Sequence, residues 1–140
     1  MRYVLVLAAL LTAALLLGAA AESTVTYVDH DKVAKGGSLV TAPDYTVSVN
    51  RRTAAGQVEV HEKETDIFYV MDGSATIVVG GTAVEPKQVR PLQLTAKGIQ
   101  GGQSYNLKRG DVLLIPAGTP HWFKQENGSI NYLTIKSIKT

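Results

Sequence analysis

The chain has 140 residues, the length of one ordinary domain, and its 45% hydrophobic and 19% charged residues exclude a disordered or fibrous protein. The net charge is +2 and no basic run is longer than Arg51-Arg52, so no nucleic-acid partner is expected. Cysteine is absent, which excludes disulfides, thiolate metal ligands and a cysteine nucleophile.

The first 21 residues have the pattern of an export signal. Arg2 supplies a positive start, residues 4–17 are apolar apart from Thr12, and residues 19–21 are the small alanines that a signal peptidase needs. The apolar stretch is shorter than the ~20 residues of a membrane-spanning helix, which favours a cleaved signal over an anchor. We expect cleavage after Ala21 and a periplasmic or secreted protein with no membrane attachment.

The remaining residues, 22–140, predict one domain that begins with a short helix. Asp29 is a suitable N-cap and Gly36-Gly37 a suitable end for a helix over residues 29–35. From Tyr45 onward the apolar residues alternate with polar ones, which is typical of a strand. Further β-rich runs occupy residues 57–61, 67–71, 75–79, 112–115, 122–124 and 132–136.

Glycine and proline punctuate these runs. Asp72-Gly73 and Gly80-Gly81 predict hairpin turns, because both pairs tolerate the positive φ that such turns require. Residues 85–103 contain two prolines and weak periodicity, and we expect a long loop there with a short strand over residues 92–94. Many short strands with such turns predict an all-β fold, and the pattern leaves a sandwich and a closed barrel open.

Two segments resemble the paired motifs of the cupin superfamily. Residues 110–125, GDVLLIPAGTPHWFKQ, match the second motif at every spacing, with Gln125 where the family usually has Asn. Residues 59–73, EVHEKETDIFYVMDG, are similar to the first motif, with Glu59 at the position of its first His. The chain therefore resembles a small single-domain cupin. The resemblance implies a double-stranded β-helix, or jelly-roll barrel, that carries a short N-terminal helix.

The resemblance also implies a divalent metal ion at the mouth of the barrel. Residues two apart on a strand share a face, so Glu59 and His61 project together. With Asp66 and His121 they would offer two carboxylates and two imidazoles to one ion. Such donors suit Mn²⁺, Fe²⁺, Ni²⁺ or Zn²⁺, and the sequence does not distinguish among these.

Each candidate ligand has an alternative role. His61 and His121 can serve as hydrogen-bonding residues only, and Asp66 can cap a turn. Glu59 can pair with Lys63 at the surface, where such pairs contribute little. The run from Glu62 to Glu64 is expected to form a solvated charged turn.

The wall of a substrate pocket is predicted from a second set of residues. Arg51 and Arg52 lie at the end of a strand that is expected to approach the mouth, where a single guanidinium would bind a substrate carboxylate bidentately. Alternatively, one arginine is solvated and the other pairs with an acidic loop. The residues assigned to this wall are Arg51, Phe68, Phe123, Gln125 and Tyr132.

These expectations combine into an exported cupin that binds a divalent metal and binds or converts a small polar molecule, a sugar or an organic acid. The family includes isomerases, lyases, oxygenases and binding proteins, so neither a reaction nor a catalytic residue is assigned. The alternative is a ligand-binding or structural barrel without metal, which Glu59 in place of a histidine favours. A homodimer is expected in each of these alternatives, because cupins often pair through strand exchange or sheet packing.

Overall fold

The computed structural model of the chain describes residues 24–139. The predicted signal peptide, residues 1–21, lies outside the described residues. Within residues 24–139, none of the helices has the length and apolar character needed to cross a membrane.

The described chain forms one short helix followed by strands, which confirms the all-β prediction. The helix α1 begins at His30, as expected, because the Asp29 carboxylate accepts a hydrogen bond from the Lys32 amide at 2.8 Å. The elements are α1 His30–Lys35, β1 Gly37–Thr41, β2 Tyr45–Arg52, β3 Val58–His61, β4 Glu64–Val79, β5 Thr82–Val84, β6 Lys87–Arg90, β7 Gln93–Ala96, β8 Gly98–Gln100, β9 Gln103–Lys108, β10 Val112–Ile115 and β11 His121–Ile138.

Two long strands, β4 and β11, organise the sheets. They pair antiparallel along almost their whole lengths, with register shifts at bulges. The first half of β4 also pairs with β10, and its second half pairs with β9. On β11 the second half pairs with β2, while His121 at its start lies opposite Glu59 of β3. The result is the antiparallel jelly roll that the sequence predicts.

The segment 85–103 contains the short strand expected over residues 92–94, observed as Gln93–Ala96, but the segment as a whole is not the predicted loop. It contains β6, β7 and β8; β6 pairs with β7, β7 pairs with β3, and β8 pairs with β5. These strands have three or four residues each, and all residues of β6 are exposed. A strand without a buried face shows no alternation of apolar and polar residues, so the pattern could not reveal it.

Asp72-Gly73 lies inside β4 and forms no hairpin turn, which corrects another prediction. Gly73 has φ +76°, and a Cβ atom there would lie 1.9 Å from the backbone oxygen of Ser129. Glycine is therefore required where β4 and β11 approach each other at a bulge. The predicted hairpin at Gly80-Gly81 is also absent, since the preceding strand β4 pairs with β9 and the following strand β5 pairs with β8.

The hydrophobic core lies between the two halves of the barrel. Phe68 and Val70 of β4 and Phe123 and Tyr132 of β11 point into it and are buried. The same inward face of β4 continues through Asp66, which is only 2% exposed. The apolar core thus ends at a buried carboxylate at this end of the barrel.

Candidate metal centre and ligand cavity

A cavity of about 190 Å³ opens at the end of the barrel that contains Asp66. Its walls come from the inward faces of β2, β3, β4 and β11, with Arg90 from the end of β6. Two larger depressions, of about 600 and 520 Å³, have no histidine in their lining. We place the candidate site at the smaller cavity, because ionisable groups converge there. Its lining residues are Ser48, Asn50, Arg52, Glu59, His61, Asp66, Phe68, Arg90, His121, Phe123, Tyr132, Thr134 and Lys136.

Two histidine rings meet in this cavity with their centroids 5.2 Å apart. Nδ1 of His121 lies 3.1 Å from the carbonyl oxygen of Thr119, and a carbonyl can only accept, so Nδ1 carries the proton. In the neutral ring, Nε2 then presents a lone pair. That Nε2 lies 3.5 Å from Oδ2 of Asp66, and Nε2 of His61 lies 3.6 Å from the same oxygen.

Burial acts on the second ring, His61. The pKa of His61 is lowered, chiefly because burial penalises the charged imidazolium and also because the Lys136 ammonium repels it. Nδ1 of His61 faces Oε2 of Glu64 at 3.3 Å, which orients its N–H toward that carboxylate. The Nε2 atoms of both rings therefore point at the carboxylate of Asp66.

Glu59 approaches the same point from β3. Its Oε2 lies 4.0 Å from Nε2 of His121, and donor atoms of Glu59, His61 and His121 all lie within 4.8 Å of one another. Glu59 contacts Arg52 at 3.6 Å and accepts a weak hydrogen bond from Gln93 at 3.4 Å. Its carboxylate is therefore held inside the cavity mouth and is not paired with Lys63.

The donors brought together here fit a divalent ion of the first transition row. Neighbouring ligands of such an ion lie roughly 3 to 3.5 Å apart when the metal–ligand distances are about 2.1 Å. The separations from Asp66 to the two imidazoles match this spacing. The four predicted residues line the same cavity, and their donor atoms fall into two groups within 4.8 Å, Glu59–His61–His121 and His61–Glu64–Asp66.

Sequence reasoning missed Lys136, which neutralises the buried carboxylate. Its ammonium donates to Asp66 Oδ1 at 2.7 Å and to Glu64 Oε2 at 2.8 Å. Asp66 does not cap a turn, and Glu64 is half-buried and not part of a solvated turn. Hydrogen bonding and attraction to Lys136 lower the pKa of Glu64, although burial acts in the opposite direction. The sequence pattern that could have identified Lys136 is the alternation of β11, which places Lys136 on the same face as Tyr132 and Thr134.

Three of the predicted wall residues form an aromatic floor to the cavity. Phe68 stacks on Phe123 with centroids 5.8 Å apart, and Tyr132 lies 5.1 Å from Phe68 and 5.2 Å from Phe123. Tyr132 accepts a 3.0 Å hydrogen bond from Nε of Arg52. Burial raises the pKa of the Tyr132 phenol, so the group remains protonated at neutral pH.

Two predicted wall residues lie elsewhere. Arg51 is exposed on the outer face of β2, where it is opposite Asn131, and the neighbouring Arg52 points into the cavity instead. Gln125 is exposed on β11 opposite Thr76 and does not line the cavity. Arg51 lies outside because adjacent residues of a strand point to opposite faces. Gln125 lies outside because the register shifts between Phe123 and Gln125, where one extra residue of β11 reverses the side.

The fold and these donors define a class: small antiparallel barrels with histidines and carboxylates at one mouth. The profile of the family described as Cupin matches residues 20–137, which is most of the chain. The chain belongs to the cupin family. A comparison with curated proteins finds no significant match.

Solved structures share the fold at low sequence identity. A protein from Bacillus halodurans matches with a TM-score of 0.59 and 16% identity, over 85% of this chain and 86% of its own. A cupin superfamily protein from Desulfitobacterium hafniense matches with a TM-score of 0.54 and 18% identity, over 74% and 76%. A hydroquinone 1,2-dioxygenase solved with Cd²⁺ and 4-hydroxybenzonitrile matches with a TM-score of 0.53 and 20% identity, over 74% and 63%.

We expect Lys136→Met to destabilise the metal-free protein by about 3 kcal/mol, because it leaves the buried Asp66 carboxylate without its partner. Adding Asp66→Asn should recover at least half of this loss, since the buried charge is then gone. Urea unfolding followed by Trp122 fluorescence in a chelating buffer measures both changes.

Lys97→Met is the matched control for this pair of variants. Lys97 pairs with Glu85 at 2.6 Å, but both side chains are largely exposed. Its loss should cost less than about 1 kcal/mol. Equal destabilisation in Lys136→Met and in the double variant would contradict the assigned role of the buried ion pair.

Proposed function

We propose that the protein binds one divalent metal ion through Glu59, His61, Asp66 and His121, and that it binds or converts a small polar molecule beside this ion. The observation that carries the proposal is the arrangement of the two Nε2 atoms, which approach one Asp66 oxygen at 3.5 and 3.6 Å. Each ring is oriented by its other nitrogen, as metal-binding histidines usually are.

The bound ion would supply Lewis acidity, polarising a carbonyl or hydroxyl oxygen of the ligand. The protein's own residues would orient that ligand: Tyr132 and Phe123 form the floor, and Asn50 donates to Ser48 and Thr134 at the wall. The dioxygenase that shares this fold was solved with Cd²⁺, which supports a divalent ion in a barrel of this type. Mn²⁺, Fe²⁺, Ni²⁺ and Zn²⁺ all suit the donors.

We expect protein produced from the full-length chain, purified without an affinity tag or chelator, to contain close to one equivalent of a divalent metal. His61→Ala and His121→Ala should each reduce this at least tenfold, because each removes an imidazole ligand. Elemental analysis by plasma mass spectrometry makes the measurement.

His30→Ala is the matched control, because His30 is exposed on α1, outside the cavity. It should keep the full metal content. Absence of metal from the wild type, even after incubation with each of the four ions, would refute the proposed metal centre.

A metal-free ligand-binding barrel is the second candidate function, and Lys136 is the observation that favours it. The ammonium already neutralises Asp66 without any ion. In that alternative, the cavity recognises its ligand through Arg52, Tyr132 and Asn50 alone. The two candidates are separated by the metal content of the wild type.

We also propose that the protein is exported, with residues 1–21 as a cleaved signal peptide. The support lies in the apolar stretch of residues 4–17 and the alanines at 19–21. Expression in a Gram-negative host should yield periplasmic protein whose intact mass begins at Glu22. The substitution Ala21→Tyr should block this cleavage, because the peptidase site requires small residues. Retention of the full-length wild-type chain in the cytoplasm would contradict the proposal.

We further propose a homodimer that forms through the outer face of the sheet containing β10, β4, β11 and β2. Cross-strand partners place Val112, Tyr69, Leu133 and Val49 in one row and Leu114, Ile67, Ile135 and Val47 in the next. Among these, Val112 is 66%, Leu114 56% and Tyr69 46% exposed. Neither row contains a charge, so two copies can pack face to face without like-charge repulsion.

Leu114→Lys should convert the dimer to a monomer, because it places a charge in the centre of this apolar face. Val89→Lys is the control, since Val89 is 55% exposed but lies on β6, away from the face. Sedimentation equilibrium at micromolar concentration distinguishes the species. A monomeric wild type, or a dimer that persists in Leu114→Lys, would refute this interface.

A further inference from the structure

We infer that the ligand of this cavity is a small carboxylate, not a neutral sugar, and that Arg52 binds its carboxylate group. This inference rests on the proposed function, because it names the ligand class of the same site.

The guanidinium of Arg52 is fixed from three sides. Its carbon lies 4.9 Å from the centre of the Phe123 ring, and its Nε donates to the Tyr132 hydroxyl at 3.0 Å. On the third side, a Cβ atom on Gly56 would lie 2.7 Å from its Nη1, so glycine leaves the space that the guanidinium needs. An arginine held in this way loses little entropy when it binds a ligand.

Most of the donors of Arg52 are not used by the protein. A guanidinium has five N–H groups, and among the described residues the Tyr132 hydroxyl takes one of them in a hydrogen bond. Glu59 is near Nη2, but at 3.6 Å it forms an ion pair and no hydrogen bond. Arg52 therefore retains a pair of donors for a planar carboxylate, which it can bind with two parallel hydrogen bonds.

The charge of the cavity also favours an anion. Arg52, Arg90 and Lys136 contribute three positive charges to the lining, against two negative charges from Glu59 and Asp66. The proposed divalent ion adds two further positive charges. Even if the neighbouring Glu64 is included, the occupied cavity carries an excess of positive charge that a carboxylate would balance and a neutral sugar would not.

The size of the cavity limits the part of the ligand that enters it. A volume of about 190 Å³ corresponds to roughly six water molecules at about 30 Å³ each. This is sufficient for an acid of two to four carbons, and because the cavity is open at the end of the barrel, a longer ligand would project from its mouth. The geometry thus points to a short hydroxy or oxo acid that contacts the ion at one end and Arg52 at the other.

Glycolate and glycolamide are the probes, because they share a shape and differ in charge. Zinc-loaded protein is titrated with each and followed by amide chemical shifts, since Zn²⁺ has no unpaired electrons. The wild type should bind glycolate at least tenfold more tightly than glycolamide. Arg52→Gln should weaken glycolate binding at least tenfold, whereas Arg51→Gln, which changes the adjacent outward-facing arginine, should not.

Gly56→Ala provides a second variant that keeps Arg52 itself. Its new Cβ should push the guanidinium aside and weaken glycolate binding, while the zinc content stays unchanged. If Arg52→Gln removes the zinc as well, Arg52 acts only by positioning Glu59 and the inference is overturned. Equal affinity of zinc-loaded wild type for glycolate and glycolamide also overturns it.

Failure of the proposed metal centre can be distinguished from failure of the proposed carboxylate site. If the wild type binds no zinc, the same titrations are made on the metal-free protein. Glycolate binding that depends on Arg52 would then support the anion site and refute only the metal centre, whereas the absence of such binding would refute both.

Discussion

The antiparallel pairing of β4 with β11 is the constraint on which the rest of the structure depends. Its register sets Lys136 opposite Asp66, Thr134 opposite Phe68 and Tyr132 opposite Val70, so a buried ion pair, a hydroxyl and an aromatic wall follow one another along a single inward face. At the far end, the same strand β11 begins at His121 and meets β3 at Glu59. One strand pair therefore carries the core at its middle and contributes ionisable groups to the cavity from both ends.

Much of this fold is readable from the sequence, because apolar and polar residues alternate wherever a strand has one buried face. Residues 112–115 form a strand with the predicted bounds, and the helix begins after Asp29 as expected. The strand expected over residues 92–94 is present as β7, whereas β6 and β8 were missed because short strands without a buried face show no alternation. Gly73 was misassigned to a turn because a bulge and a turn both require positive φ.

The spacing of the two cupin motifs predicted the candidate donor residues of the site. The positions of Glu59, His61, Asp66 and His121 follow from that spacing. The polar residues around these donors could not be predicted from the spacing, because their positions depend on which face of each strand points inward. On β2, the apolar series of Val47 and Val49 lies outside and the polar series ending at Arg52 lines the cavity, so Arg51 was the wrong arginine. Lys136 was missed because a lone lysine in a strand is ordinarily solvated.

The strand β2 contributes Ser48, Asn50 and Arg52 to the cavity wall but none of the four candidate donor residues. These polar groups of β2 therefore sit on a different strand from the candidate donors, and the contact between Arg52 and Glu59 joins the two sets. Selection acting on β2 can reshape the ligand preference of the barrel while the donors on β3, β4 and β11 stay unchanged. This separation offers a physical route by which a single scaffold can diverge in ligand specificity.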